Sequence, residues 1–220
     1  MADVSIFNTL APYHIIAYGT HLGAQTWQTF VSGITAYQTL ERSQFSALQQ
    51  RVFPRYFTLQ TAFPLIVALT YPGIGLGPSS YHGALAPANQ WSVLYPLTTA
   101  FVCGFLNLVF VGPKTSELIR LRKIQETKDG KKSIDPAPHS KDMLALNKRF
   151  ARVHGASALL NLVSFGATLW YGVGLSARLS GVQSIYAAKY PVSTAAILPK
   201  QVTQTGKSHG HSSKETKVAR

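Results

Sequence analysis

Uncharged polar side chains recur at helical spacing in three apolar stretches, and they are the residues that could do chemistry. In the first stretch they follow the intervals i, i+4, i+7, i+11, i+14 and i+18: His14, Tyr18, His21, Gln25, Gln28 and Ser32. At about 100° per residue, this spacing keeps them within roughly 80° of arc on one helix face. The pattern therefore predicts one polar stripe along a helix.

Two later stretches carry similar stripes. One comprises His154, Ser157, Asn161, Ser164 and Thr168, and a shorter one comprises Thr99, Cys103 and Asn107. Amides and imidazoles in hydrocarbon must find partners, since each unsatisfied polar group costs several kcal/mol there. We therefore expect the three stripes to face one another, and the candidate site residues are Gln25, Gln28, Ser32, Asn107, His154 and Asn161.

His154 is the one member of this set that can change its charge near neutral pH. Arg149 and Arg152 lie close to it in the sequence. His154 is therefore the leading single candidate for a functional residue.

The apolar stretches exclude several kinds of chemistry. They contain no Asp or Glu, and no hydrolase triad or phosphate-binding loop is present, so we expect no enzyme activity and no cofactor. Cys103 is the only cysteine, which leaves no disulfide or thiolate metal site and indicates packing. Histidines without further ligands make only weak metal candidates, here His14 and His21, with His209 and His211 in the tail.

The distribution of charge predicts the elements that position these residues. Lys and Arg number 21 and Asp and Glu 8, yet residues 4–40, 56–113 and 153–177 contain none of them. A bilayer core about 30 Å thick requires roughly 20 consecutive, mostly apolar residues per helix. The sequence therefore predicts an all-α polytopic membrane protein, a four-helix transmembrane bundle whose membrane domain covers residues 1–178, with spans at about 12–40, 56–70, 91–111 and 153–177.

Three segments connect the spans, and a tail follows them. Residues 41–55 have the pattern of a short amphipathic helix on the membrane surface, and residues 71–90 form a Gly/Pro-rich loop. Residues 114–152 form a polar helical loop, with one helix that ends near Gly130 and another that starts near Ser140. Residues 179–220 form a basic tail that we expect to be largely disordered.

The basic residues also predict orientation and partners. Residues 41–55 and 114–152 hold 14 of the 21 basic residues, which makes both segments cytosolic and both termini non-cytosolic by the positive-inside rule. The expected partners are the lipid bilayer of an endomembrane or plasma membrane and, through residues 114–152, anionic lipid headgroups. Nucleic acid is not expected, because no aromatic or zinc-finger pattern accompanies the net charge of +13. His14 and His154 should lie near opposite faces, roughly 30 Å apart, so they cannot share one metal.

Four motifs at the predicted span boundaries carry a resemblance. They are QTWQTFVSG (Gln25 to Gly33), FPRYF (Phe53 to Phe57), GPKT (Gly112 to Thr115) and RVHGASALLNL (Arg152 to Leu162). On these motifs the sequence resembles the transmembrane protein 205 family of four-span membrane proteins over most of residues 13–178. The resemblance implies the four-span architecture and no particular biochemical activity. In one feature the sequence also resembles the four-helix copper-resistance and haem-binding membrane proteins of bacteria: a histidine, here His14, lies near the start of the first span.

Functions of three classes fit these features. The first is a structural or scaffold membrane protein, in which the polar stripes are interhelical hydrogen bonds worth on average about 0.6 kcal/mol each. The second is a transporter or channel for a small solute or ion, with a polar cavity between the first, third and fourth spans. The third is a metal- or haem-binding membrane protein. The sequence favours the first and leaves the other two open.

Overall fold

The fold was obtained as a computed structural model, which describes the backbone of residues 7–73 and 80–189 and the side chains of residues 7–73 and 80–177. Within these ranges the chain is helical and contains no β-strand. The α-helices are α1 (Ala11–Thr26), α2 (Gly33–Thr39), α3 (Arg42–Leu69), α4 (Ser80–Ala84), α5 (Tyr95–Leu106), α6 (Gly112–Asp129) and α7 (Lys141–Lys189).

Wider π-helical turns join several of these helices into longer runs. Trp27–Ser32 links α1 to α2, Gln90–Leu94 leads into α5, and Asn107–Val111 links α5 to α6. A π-turn has i to i+5 hydrogen bonds and so holds one residue more than an α-turn. The described part of the chain therefore has four long helical runs, and each π-turn changes which face the following residues occupy.

Among the residues that the structure describes, three helical runs are long and apolar enough to cross a membrane: Arg42–Leu69, Pro87–Asp129 and Lys141–Ala177. Only 28%, 39% and 22% of their most apolar windows are buried, so most of the apolar surface faces outward, as it does in lipid. These runs contain the second, third and fourth predicted spans. The run from Ala11 to Thr39 is not among them, because its histidine, glutamine and threonine residues lower its mean hydropathy.

The predicted interfacial helix over residues 41–55 is instead the first half of α3. No glycine occurs between Arg42 and Leu69 to end the helix, and Pro54 and Pro64 both lie inside it. With 28 residues, α3 is about 42 Å long and exceeds the hydrocarbon thickness. Its amphipathic N-terminal part therefore continues directly into the span.

The polar connection between α6 and α7 is a tight helical hairpin. As predicted, α6 ends just before Gly130, which adopts a left-handed conformation with φ 65°. Ser140 caps the next helix, because its Oγ accepts a hydrogen bond from the Met143 N–H at 3.1 Å. Both predicted helix boundaries are confirmed.

The described parts of the Gly/Pro loop, residues 71–73 and 80–90, lie at the opposite end of the bundle. Tyr71 is only 3% exposed and packs with Ala84, Val93 and Tyr171 in the apolar core. Trp91 is 76% exposed, as an aromatic ring at the headgroup interface of a membrane would be. The predicted tail begins at residue 179, but residues 179–189 continue α7; the rest of the tail, with His209 and His211, lies outside the described residues.

Candidate functional site

One face of α7 carries the polar residues that reach the interior of the bundle. Tyr171, Thr168, Ser164 and Ser157 are at most 7% exposed, and Asn161 is half-buried between them. From residue 157 to residue 171 this face extends about 21 Å along the helix. We call these residues, together with their partners His14, His21, Gln25, Gln60 and Asn107, the polar core.

His14 occupies the end of the polar core near the Gly/Pro loop. It is fully buried, and its Nε2 lies 2.6 Å from the Tyr171 hydroxyl while its Nδ1 lies 3.3 Å from Thr70 Oγ1. Its ring also makes edge contacts with Tyr71 and Tyr171. His14 thus joins α1 to α3 and α7, with both ring nitrogens engaged.

His21 and Gln25 form the middle of the polar core. Gln25 Nε2 donates to Ser164 Oγ at 3.0 Å and lies 3.2 Å from His21 Nε2, which is 3.3 Å from Thr168 Oγ1. The His21 ring stacks on Phe63 of α3. These contacts confirm that the polar face of the first helix meets that of the last.

Asn107 forms the end of the polar core nearest the polar hairpin. Its Nδ2 donates to Asn161 Oδ1 at 3.1 Å and approaches the Ser157 carbonyl oxygen at 3.4 Å. Asn107 is fully buried, and it is the first residue of a π-turn. The predicted meeting of Asn107 with Asn161 is confirmed.

Several buried amide atoms in the polar core have no hydrogen-bond partner among the described residues. They are Gln25 Oε1, Asn107 Oδ1 and both polar atoms of Gln60. All three side chains are at most 1% exposed. Because a buried unpaired amide atom costs about 1–3 kcal/mol, these groups are unusual in a core that serves packing alone.

Gln60 was absent from the sequence-based candidates. It lies one turn before Phe63 on α3, and its backbone comes so close to Gly104 of α5 that an added Cβ would lie 2.9 Å from it. Since His21 stacks on Phe63, Gln60 is at nearly the depth of Gln25, one turn after His21. The detectable signal was an amide within the otherwise mostly apolar second span.

Three predicted site residues lie apart from the polar core. Gln28 and Ser32 are half-buried, and neither has a side-chain hydrogen bond within the described part of the chain. Both fall in the first π-turn, which rotates its residues by up to roughly 100° from the α-helical register used for the prediction. His154 is exposed and stacks on Phe150 with ring centroids 5.6 Å apart.

The same geometry bears on metal binding. No group of three or more His, Cys, Asp or Glu that could hold a metal ion occurs among the described residues. His14 contacts Tyr171, which is 17 residues beyond His154 on α7 and so about 25 Å away along the helix. The two histidines therefore lie at opposite ends of the bundle, as predicted.

Similarity to known proteins identifies the family. Residues 16–123 match a family described as "Domain of unknown function (DUF4149)". A protein of Aspergillus fumigatus named "Xanthocillin biosynthesis cluster protein D" is 33% identical over 178 residues, which is 81% of this chain and 96% of that protein. The chain belongs to the family of this protein. No solved structure matches it.

The DUF4149 match divides the polar core. It includes His21, Gln25, Gln60 and Asn107, and it ends within α6. His14 precedes it, and the whole of α7 follows it. The amides with unpaired atoms thus all lie inside the DUF4149 region, while α7, outside it, accepts hydrogen bonds from the Gln25 and Asn107 amide nitrogens.

Proposed function

We propose that this protein is a four-span membrane protein whose polar core binds a small neutral polar molecule and lets it pass between the two faces of the membrane. The observation that carries the proposal is the set of unpaired buried amide atoms of Gln25, Gln60 and Asn107. In a membrane interior, polar groups of this kind usually line a pathway for a substrate. We propose a binding and transport role without catalysis.

The contacts of the first helical run support a fourth span. His14 meets Thr70 at the C-terminal end of α3, His21 stacks on Phe63 about two turns before that end, and Tyr37 packs on Phe45 near the start of α3. The run is therefore antiparallel to α3 for 23 residues, or about 35 Å, which exceeds the 30 Å of a bilayer core. Its reduced hydropathy follows from the polar core residues it supplies.

The chemistry of the polar core favours a neutral solute. Its side chains are amides, hydroxyls and imidazoles, and no Lys, Arg, Asp or Glu occurs in residues 56–113 or 153–177. An ion would lose its hydration shell there without gaining a counter-charge, whereas a neutral solute can exchange hydrogen bonds with water for hydrogen bonds with amides. We therefore propose a small molecule with hydrogen-bond donors and acceptors, such as urea or glycerol, as the solute.

The family relationship adds limited support. The relative is named as a protein of a biosynthesis cluster for xanthocillin, and a role with a small molecule agrees with that name. We also propose membership of the transmembrane protein 205 family, on the motifs described above. The orientation that we propose places residues 41–55 and 114–152 in the cytosol and both termini on the other side.

Substitution of Gln60 by Leu tests the solute pathway. Because Gln60 makes no hydrogen bond within the described structure, the change should leave the free energy of unfolding unchanged or slightly increase it. Urea and glycerol permeation into proteoliposomes, measured by stopped-flow light scattering, should fall roughly thirtyfold, since two solute hydrogen bonds of about 1 kcal/mol each are lost.

Gln38→Leu is the matched control, because Gln38 is exposed on α2 and lies outside the polar core. That variant should retain full permeation. Wild-type protein that adds no permeation over empty liposomes would refute the pathway, and so would Gln60→Leu with undiminished flux.

A structural or scaffold protein is the second candidate function. It is favoured by the hydrogen bonds that join α1 and α5 to α7, from His14, Gln25 and Asn107. A scaffold protein conducts no solute, so no variant would change permeation. Disruption of these hydrogen bonds would instead loosen the bundle. Absence of solute flux through both the wild type and the Gln60→Leu variant would select this alternative.

A further inference from the structure

A groove lies between the start of α3 and the first turns of α6, separate from the polar core. It has a volume of about 480 Å³ and is lined by Gln50, Ser116, Glu117, Ile119, Arg120 and Lys123. From these residues we propose that the groove binds the phosphate of an anionic phospholipid. The proposal needs only the membrane-embedded helices described above and is independent of the solute pathway.

The charges in the groove leave an excess of positive charge for a ligand. Glu117 forms a salt bridge with Lys114 at 2.9 Å, which compensates the only acidic side chain of the lining. Arg120 and Lys123 form no salt bridge with any described carboxylate. Both remain available for an anion, and an Arg guanidinium with a nearby ammonium is a common phosphate-binding pair.

The depth of the groove corresponds to the lipid headgroups. Ser116 lies five residues beyond Val111, the predicted end of the third span, so it is about 7 Å outside the hydrocarbon core, where the headgroup layer begins. Side chains of an α-helix tilt toward its N-terminus, and in α6 that end is the membrane end. Arg120 and Lys123 therefore extend back toward the lipid phosphates, as basic side chains beside spans commonly do.

Neutral groups complete the groove. Gln50 is held in place, because its Nε2 donates to the carbonyl oxygen and the Oγ of Ser46. The Ser116 hydroxyl offers a donor for a phosphate oxygen, and Ile119 provides an apolar wall for the glycerol and the first acyl carbons. The lining thus fits a phosphate attached to a lipid better than a free ion.

The test compares phospholipids on the intact protein in detergent by native mass spectrometry. Dioleoyl phosphatidic acid should remain bound, whereas dioleoyl phosphatidylcholine, whose phosphate charge is neutralised by choline, should be retained far less. The double variant Arg120→Gln/Lys123→Gln should lose affinity for phosphatidic acid by roughly thirty-fold, since each cation near an anionic surface contributes about a factor of five.

Lys128→Gln/Lys141→Gln is the control with the same charge change, because both lysines are exposed in the same hairpin but outside the groove. It should bind phosphatidic acid like the wild type, and thermal unfolding should show that both double variants are folded. Equal loss in the two double variants would overturn the site in favour of general charge attraction. Displacement of the lipid by inorganic phosphate at the same concentration would overturn the assignment to a lipid.

Discussion

Asn107 uses one half of its side-chain amide in packing against Asn161 and leaves the other half unpaired within the described structure. The Nδ2 group of Asn107 is used in a hydrogen bond to Asn161, while its Oδ1 stays unpaired at zero exposure. One half of the amide thus connects α7 to the run that contains α5, and the other half remains available. A test at these residues can measure how much the paired, structural half of the amide contributes to the free energy of unfolding.

A double-mutant cycle measures the structural half. Asn107→Leu and Asn161→Leu remove the same hydrogen bond, so the two changes should couple by about 0.6 kcal/mol, and by no more than roughly 1.7 kcal/mol, in the free energy of unfolding. Denaturant-induced unfolding in mixed micelles gives the four free energies. The control cycle pairs Asn107→Leu with Thr39→Val, since Thr39 only bonds the Thr35 carbonyl oxygen of its own helix. Coupling as large in the control cycle would mean that the hydrogen bond is not what links the two asparagines.

The site was predictable where residues pair along regular α-helix. His21, Gln25, Asn107 and Asn161 followed from 100° spacing and from the need of amides for partners. The prediction for Gln28 was wrong, because the π-turn that contains it changes the helical phase. No pattern of polarity in the sequence encodes that turn. The prediction for His154 rested on its place in the stripe, but the helix still faces outward there, because no facing helix covers it.

At the scale of elements, the guanidinium of Arg122 links three parts of the hairpin of α6 and α7. Arg122 Nε donates to Asn147 Oδ1 at 2.8 Å, and a terminal nitrogen donates to Ser133 Oγ at 2.9 Å. The guanidinium carbon also lies 4.5 Å from the centroid of the Phe150 ring. Arg122 therefore ties α6 to both the connecting turn and α7.

Arg122→Gln should loosen this hairpin. The variant loses the cation–π contact and cannot reach both oxygens, and hydrogen bonds from charged donors contribute about 1.5–3 kcal/mol each, less where the group is half exposed. Amide hydrogen exchange in residues 128–140 should therefore accelerate, by roughly tenfold or more. Arg149→Gln is the control, because Arg149 is exposed on α7. Equal exchange in wild type and Arg122→Gln would show that the turn is held by its backbone alone.

Helix lengths were predicted less well than helix positions. The second predicted span ends at Thr70 and α3 ends at Leu69, but the start of α3 is at Arg42 rather than at Tyr56. Charge marks where a helix leaves the hydrocarbon, not where its hydrogen bonds stop. Residues 41–55 therefore appeared as a separate surface helix, although the backbone continues through Pro54 without a break.

At the scale of the whole molecule, the first helical run differs from the other three in its lower mean hydropathy. Mean hydropathy selects three runs, because it averages over all faces of a helix. A bundle helix needs apolar side chains only where it meets lipid, and in this run Ile15, Ile16, Phe30 and Ile34 are exposed while His14, His21 and Gln25 are buried. The burial pattern therefore favours a span that hydropathy alone does not detect.

Single cysteines decide between three and four spans. In a Cys103→Ser background, Asn8→Cys and Ser43→Cys flank the first run, and both positions are exposed. With four spans, a membrane-impermeant maleimide should label them from opposite sides, because one span separates them. Ser133→Cys should label from the same side as Ser43→Cys, which the positive-inside rule makes the cytosol, and Ser208→Cys from the side of Asn8→Cys. Labelling of Asn8→Cys and Ser43→Cys from one side would leave three spans, and the polar face of α1 would then pack outside the hydrocarbon against helices that cross it.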